Sequence, residues 1–71
     1  MYREGTWLID RRLDKLGRLM ATDGPYVLLR PPRGGREWEC PPDEVRLAME
    51  AERRAAGIAG DGTVLPRRTT R

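Results

Sequence analysis

Two carboxylate pairs are the chain's candidates for acid–base chemistry: Asp10 with Asp14, and Glu37 with Glu39. Histidine is absent, so one of these carboxylates would have to be tuned in a pocket to work near neutral pH. Asp10 and Asp14 flank a loop. Glu37 and Glu39 are two residues apart in an alternating segment, so they share one strand face, where acidic residues protect a sheet edge. Cys40 is the only cysteine; no internal disulfide can form, and the spacings of zinc ligands do not occur. A cysteine in an alternating strand reads as a small buried hydrophobe. Gly34-Gly35 has the backbone freedom to cradle a phosphate, but between two apolar runs it reads as a hairpin corner. The expectation is a protein that is not an enzyme and that holds neither cofactor nor metal.

Recognition chemistry is better represented. Arg18, Tyr26, Leu28, Arg30, Arg33 and Arg36, with Met20, gather on or beside the outward face of a central hairpin. An aromatic and an aliphatic residue framed by arginines suits a protein partner, because arginine and tyrosine are enriched at interfaces. The same set suits phosphate and base. A third reading has Arg30 and Arg36 pairing with Glu37 and Glu39 across strands, with Leu28 under a helix.

The elements that must position these residues follow from alternation and turn chemistry. Gly5 to Asp10 reads as a first strand, with Trp7 and Ile9 on one face. Arg11 to Leu16 is a loop, and Gly17 to Thr22 a second strand with Leu19 and Ala21 inward. The spacing of Ile9, Leu13, Leu16 and Met20 also permits a helix from Asp10 to Ala21, opposed by Gly17 in its middle. Asp23-Gly24 is a turn, with Pro25 starting the next strand. Tyr26 to Arg30 is the third strand and Arg36 to Cys40 the fourth; Val27, Leu29, Trp38 and Cys40 point inward. After Pro41-Pro42 a helix is expected, with Val45, Ala48, Met49 and Glu52 inward, a Glu50–Arg54 pair and a stop at Gly57.

The predicted core is therefore Trp7, Ile9, Leu19, Val27, Leu29, Trp38, Cys40, Val45 and Met49. In a chain of 71 residues this is a small core and implies marginal stability. Residues 1–57 form one domain and 58–71 a flexible basic tail, of which Thr63 to Leu65 could add to a sheet edge. The formal net charge is +3; Arg67, Arg68 and Arg71 against Asp61 give the tail +2 and leave the body at +1. A near-neutral body weakens the nucleic-acid reading. The first ten residues lack the apolar stretch of a secretory signal, no run is long enough to span a membrane, and the lone cysteine fits a reducing, cytoplasmic setting.

The order of a glycine-entry strand, Asp10, a six-residue loop, Gly17, Asp23-Gly24, LRPPRGGREW and a Pro-Pro-Asp start resembles a group of short actinobacterial proteins of unknown function. The resemblance covers roughly Gly5 to Met49, and its most specific part is Leu29-Arg30-Pro31 followed by Gly35-Arg36-Glu37-Trp38. The Asp10 to Gly17 spacing is similar to PRC-barrel modules, and the whole is similar to KOW and Tudor-type small barrels. These are strongly bent five-stranded barrels with a short helical turn before the last strand. Here the expected helix is longer and a last strand is not evident, so closure would depend on Thr63 to Leu65.

The expected architecture is thus mainly β, a small strongly bent antiparallel sheet or barrel of four to five strands followed by a C-terminal helix. The expected function is a non-enzymatic binding module for a protein partner, with nucleic-acid binding as the alternative.

Overall fold

In a computed structural model, residues 2–66 are described. Five strands form one antiparallel sheet in the order β4-β3-β2-β1-β5. They are β1 (Trp7–Asp10), β2 (Lys15–Asp23), β3 (Tyr26–Arg30), β4 (Trp38–Cys40) and β5 (Val45–Leu47). A 3₁₀ turn, Pro42–Glu44, links β4 to β5, and one helix, α1 (Glu50–Ala55), follows.

The connection from β4 to β5 forces the sheet to curl. These strands are the sheet's two edges, so in a flat sheet they would lie about 19 Å apart, four spacings of ~4.8 Å. Cys40 and Val45 are joined through Pro41 and the 3₁₀ turn. At ~2 Å of rise per 3₁₀ residue that link spans only about 13 Å. The sheet therefore bends until its edges approach, and Cys40 and Val45 share one core with Leu8, Leu19, Val27 and Leu29. The sheet stays open between β4 and β5, with no pairing across that seam.

Arg11 to Asp14 is a loop and not a helical turn, for reasons legible in the geometry. The Asp10 carboxylate accepts from the Arg12 backbone N–H at 2.9 Å, a local turn contact, and Leu13 N–H donates to the Asp10 carbonyl at 3.2 Å. Asp14 takes a φ of 52°, which a helix does not contain. Gly17 then serves packing. A Cβ there would lie 2.6 Å from the Trp38 ring and 2.9 Å from Leu29 Cβ, so the indole can cross β2 only over a glycine.

The β2–β3 hairpin turns on Gly24, at φ 60°, and Pro25, so Pro25 occupies the turn and does not begin the strand. A positive-φ glycine followed by a residue of fixed negative φ is the pattern of a type II′ connection, whose twist matches that of the strands. The ladder shifts register between Leu19 and Ala21, leaving Met20 as a bulged residue.

Further expectations are corrected by the structure. The helix expected directly after Pro41-Pro42 is replaced by the 3₁₀ turn, β5 and the six-residue α1. Pairing decides this: β5 covers the β1 edge, with Arg11 N–H donating to the Glu44 carbonyl and Ala48 N–H to the Trp7 carbonyl. That satisfies backbone groups which a helix would leave open, and it outweighs helical spacing among Val45, Ala48 and Met49. Met49 consequently precedes α1 and is 65% exposed, outside the core. Thr63 to Leu65 joins no sheet; Val64 makes a single bridge to Ile58.

Another correction concerns β1, whose four residues are all buried. Leu8, absent from the predicted core, faces the main core, while Trp7 and Ile9 face the opposite side. There they meet Ala48 and Ile58, with Leu16, Ala56 and Val64 alongside. The segment after β5 thus forms a clasp over the outer face of β1. Its path is set by the end of α1: Gly57, at φ 81°, donates to the Arg54 carbonyl and Ile58 to the Arg53 carbonyl. This is the two-bond helix ending that aims the next apolar residue back at the protein. Ile58, where the sequence places the start of the tail, is accordingly buried. Arg67, Arg68 and Arg71 lie outside the described residues.

Candidate functional site

Alternation along β2, β3 and β4 places Arg18, Ala21, Asp23, Tyr26, Leu28, Arg30 and Glu39 on the outer face of the sheet. The register arranges them in rows. Arg18 is opposite Arg30, Ala21 is opposite Leu28, which is opposite Glu39, and Asp23 is opposite Tyr26. Unlike the outer face of β1, this surface is not covered by the clasp. Tyr26 and Arg30 are exposed and Leu28 is half-buried.

One end of the face is cationic. Arg18 is held over the Trp7 ring, 5.2 Å from its centroid, and its Nε donates to the Gly5 carbonyl at 3.3 Å. Trp7 is itself fixed, because its indole N–H donates to the Gly62 carbonyl at 3.1 Å. Stacking on an indole orients a guanidinium without neutralising it. Among the described residues neither Arg18 nor Arg30 forms an ion pair. Two like charges directly opposite on neighbouring strands destabilise the free molecule. Beside them lies a shallow groove of about 170 Å³, walled by Met20, Pro31, Pro32, Gly34 and Val64. That volume suits one side chain and falls below the ~300 Å³ at which small-molecule pockets begin.

The remaining rows carry the anions, Glu39 beside Leu28 and Asp23 beside Tyr26. The Glu39 carboxyl lies within hydrogen-bonding reach of Asp23, and that contact, desolvation and mutual repulsion raise its pKa above the ordinary 4.5. Repulsion between Asp23 and Glu39 is thus a second like-charge contact on the same face.

The sequence-predicted site residues therefore divide. Arg18, Tyr26, Leu28 and Arg30 come together on the open face. Arg33 lies in the β3–β4 loop and binds the clasp, donating to the Leu65 carbonyl at 3.0 Å and the Ala56 carbonyl at 3.4 Å. Its guanidinium occupies the space that a Cβ on Gly57 would need, at 2.5 Å. Arg36 is exposed in the same loop, outside the paired strands. Neither Arg30 nor Arg36 makes the ion pairs with Glu37 and Glu39 that one reading allowed. Glu50–Arg54 does form, at 2.7 Å and in open solvent. Glu39 reaches this face by plain alternation, as expected, whereas Ala21, expected inward, and Asp23 are turned to it by the Met20 bulge, which shifts the register of β2.

The other charged cluster is structural. Asp10 is fully buried, and its carboxylate accepts from Arg12 Nε and Nη2 at 3.2 and 3.0 Å and from the Trp38 indole at 2.8 Å. Burial pushes its pKa up, but the hydrogen bonds from Arg12, Trp38 and Cys40 outweigh it and hold the carboxyl well below its usual range. Arg12 Nη2 continues to the Glu39 carbonyl at 3.0 Å, so the network ties β1 to β4 across the curl. Lys15 Nζ lies 4.3 Å from the centroid of the Trp38 ring. Burial and the neighbouring Asp10 carboxylate push the Cys40 thiol up to about 11, which keeps it protonated and unreactive.

No family model, curated protein or solved structure matches the chain. Among the described residues no helix is long and apolar enough to cross a membrane. The fold is shown by its own geometry, a mainly β protein with one curled five-stranded antiparallel sheet and a short C-terminal helix.

Proposed function

We propose that this protein is a small non-enzymatic binding module whose outer β2–β3–β4 face docks on a protein partner. One observation carries the reading: charges of both signs stand without ion-pair partners on a single uncovered face, Arg18 and Arg30 in one row, Glu39 beside Leu28 and Ala21 in the next, and Asp23 in the row beyond. A folded protein can answer such a pattern with a charge opposite to each. The uniformly negative backbone of a nucleic acid would meet Asp23 and Glu39 as repulsion. Aromatic stacking, the other resource of single-strand binders, is poorly supplied, since Trp7 is buried beneath Arg18. Tyr26 lies four residues from Arg30, about 13 Å along the strand.

The test is fluorescence anisotropy of labelled mixed-sequence DNA and RNA with the full chain at two salt concentrations. It is repeated with Arg67, Arg68 and Arg71 replaced by alanine, and again with Arg30→Ala. The expected result is that any nucleic-acid binding disappears with the three C-terminal arginines and is unaffected by Arg30→Ala. Binding that survives their removal, weakens steeply with salt and is lost in Arg30→Ala would assign the face to nucleic acid.

A further inference from the structure

Arginines elsewhere in the chain show what a guanidinium does when a carboxylate is near. Arg12, Arg46 and Arg54 each hold one, on Asp10, Glu52 and Glu50. Arg18 and Arg30 hold none among the described residues, although they stand directly opposite each other and line the same groove. Cross-strand neighbours have Cβ atoms about 5 Å apart, so both guanidinium groups can close on one anion and lose their mutual repulsion. Arg18 engages only its Nε, on the Gly5 carbonyl, and the Trp7 ring orients it. Its terminal nitrogens remain to donate to a planar carboxylate.

The other rows set what must follow that carboxylate. Along β3 the rows are two residues apart: Arg30, then Leu28 with Ala21 and Glu39, then Tyr26 with Asp23. Two residues of an extended chain advance about 7 Å, the spacing of the rows, and alternate side chains point the same way. An extended segment lying along β3 therefore presents its first, third and fifth side chains to successive rows. An acidic residue meets Arg18 and Arg30, an apolar residue meets Leu28 and Ala21, and a basic residue meets the adjoining Asp23 and Glu39 carboxyls. We infer that the outer β2–β3–β4 face binds an extended segment of a partner protein whose alternate side chains are acidic, apolar and basic, the acidic one clamped between Arg18 and Arg30.

This inference rests on the protein-docking reading of the same face and names the partner's chemistry. Size favours a short segment. Three strands are about 14 Å across and five residues about 17 Å long, which matches five residues of extended peptide. That footprint is far below the roughly 800 Å² per partner of a standard interface between folded proteins. The groove of about 170 Å³ has room for one side chain, and its walls of Met20, Pro31, Pro32 and Val64 suit the methylene stem of a glutamate. A segment acidic throughout would set like charge against Asp23 and Glu39, which is how the face discriminates. Binding is weak, with a dissociation constant on the order of 0.1–1 mM at low salt. Exposed charges are screened, so affinity falls as salt is raised.

The test is a proton–nitrogen NMR titration of the full chain with the capped peptide acetyl-Ser-Glu-Ser-Leu-Ser-Lys-Ser-amide, up to about 5 mM. Saturable shifts are expected at the Nε–H signals of Arg18 and Arg30 and at the Leu28 amide. Glutamine in place of the peptide's glutamate, or Arg30→Gln in the protein, is expected to weaken binding at least about tenfold, and Arg54→Gln to leave it unchanged. Circular dichroism melts check that Arg30→Gln remains folded. Absence of saturable shifts, a glutamine peptide that binds equally well, or an Arg30→Gln variant that binds like the wild type would each overturn the clamp. A phosphoserine peptide that binds more than about tenfold tighter than the glutamate peptide would overturn the assignment to a carboxylate. None of these results touches the docking reading, which fails instead if nucleic acid binds through Arg30 in the anisotropy titration.

Discussion

The outer surface of the sheet is two surfaces with opposite treatments. Over β1, Trp7 and Ile9 are sealed by Ala48 and Ile58, Trp7 reaches across to the Gly62 carbonyl, and Arg33 fastens the clasp from the far side. Over β2, β3 and β4, Leu28, Tyr26 and two clusters of like charge face outward with nothing packed on them. The first surface resembles a protein interior, the second an interface. The difference teaches that this short chain uses residues 48–64 as a second core layer over one strand only. A sheet of this size has too little apolar area on one face to support a stable fold, and burying both faces of β1 adds to it.

Mutations on the two sides should separate cleanly. The largest effect is expected inside the curl: Trp38→Ala removes the ring that crosses Gly17 and the indole donor to Asp10, and should cost about 3–5 kcal/mol, enough to abolish a cooperative melt. A melt close to wild type would remove Trp38 from the structural account. Next, Ile58→Ala opens the clasp over Trp7 and Ile9, with an expected loss of about 2–4 kcal/mol by urea unfolding. An effect below about 0.5 kcal/mol would mean that the clasp is ornamental and that both halves of the outer face are open.

Acid sharpens the comparison from a different direction. The Asp10 pKa is depressed below its ordinary 3.8, so the stability it contributes is complete above about pH 4 and is lost as the pH falls through the folded-state value. Thermal melts should shift downward below pH 4, and Asp10→Asn should be less stable at neutral pH but nearly insensitive over that window. The Arg46–Glu52 pair, whose hydrogen bonds lower Glu52 to about 2, works in the same direction but is partly exposed and contributes less. On the open face the smallest change is expected: Arg30→Ala should leave stability within about 0.5 kcal/mol or raise it slightly, since it removes repulsion with Arg18. A marked loss would show that Arg30 is structural.

Much of the sheet was legible from local rules. Tyr26 to Arg30 alternates cleanly, Asp23-Gly24 marks a hairpin, and Pro31-Pro32 with Gly34-Gly35 ends β3 where a loop is needed. What could not be read was the tertiary choice. Alternation in Trp7-Leu8-Ile9-Asp10 does not say which face is inner when both are buried, and the longer apolar residues pointed to the clasp. Val45 to Met49 has helical spacing, yet the open β1 edge offers backbone partners that local propensity does not weigh. The candidate site was half visible. Arg18, Tyr26, Leu28, Arg30 and Glu39 follow from alternation, whereas Ala21 and Asp23 join them only through the register beyond the Met20 bulge. Arg33 looked like part of the face because its contacts lie more than twenty residues away in sequence.

The most direct test of the division is NMR of the full chain with a soluble paramagnetic probe. Strong broadening is predicted at the Tyr26 and Leu28 side chains, with Trp7, Ile9 and Ile58 protected. Ile58 broadened as strongly as Tyr26, or Leu28 as well protected as Ile58, would contradict the claim that one half of the outer face is clasped and the other half open.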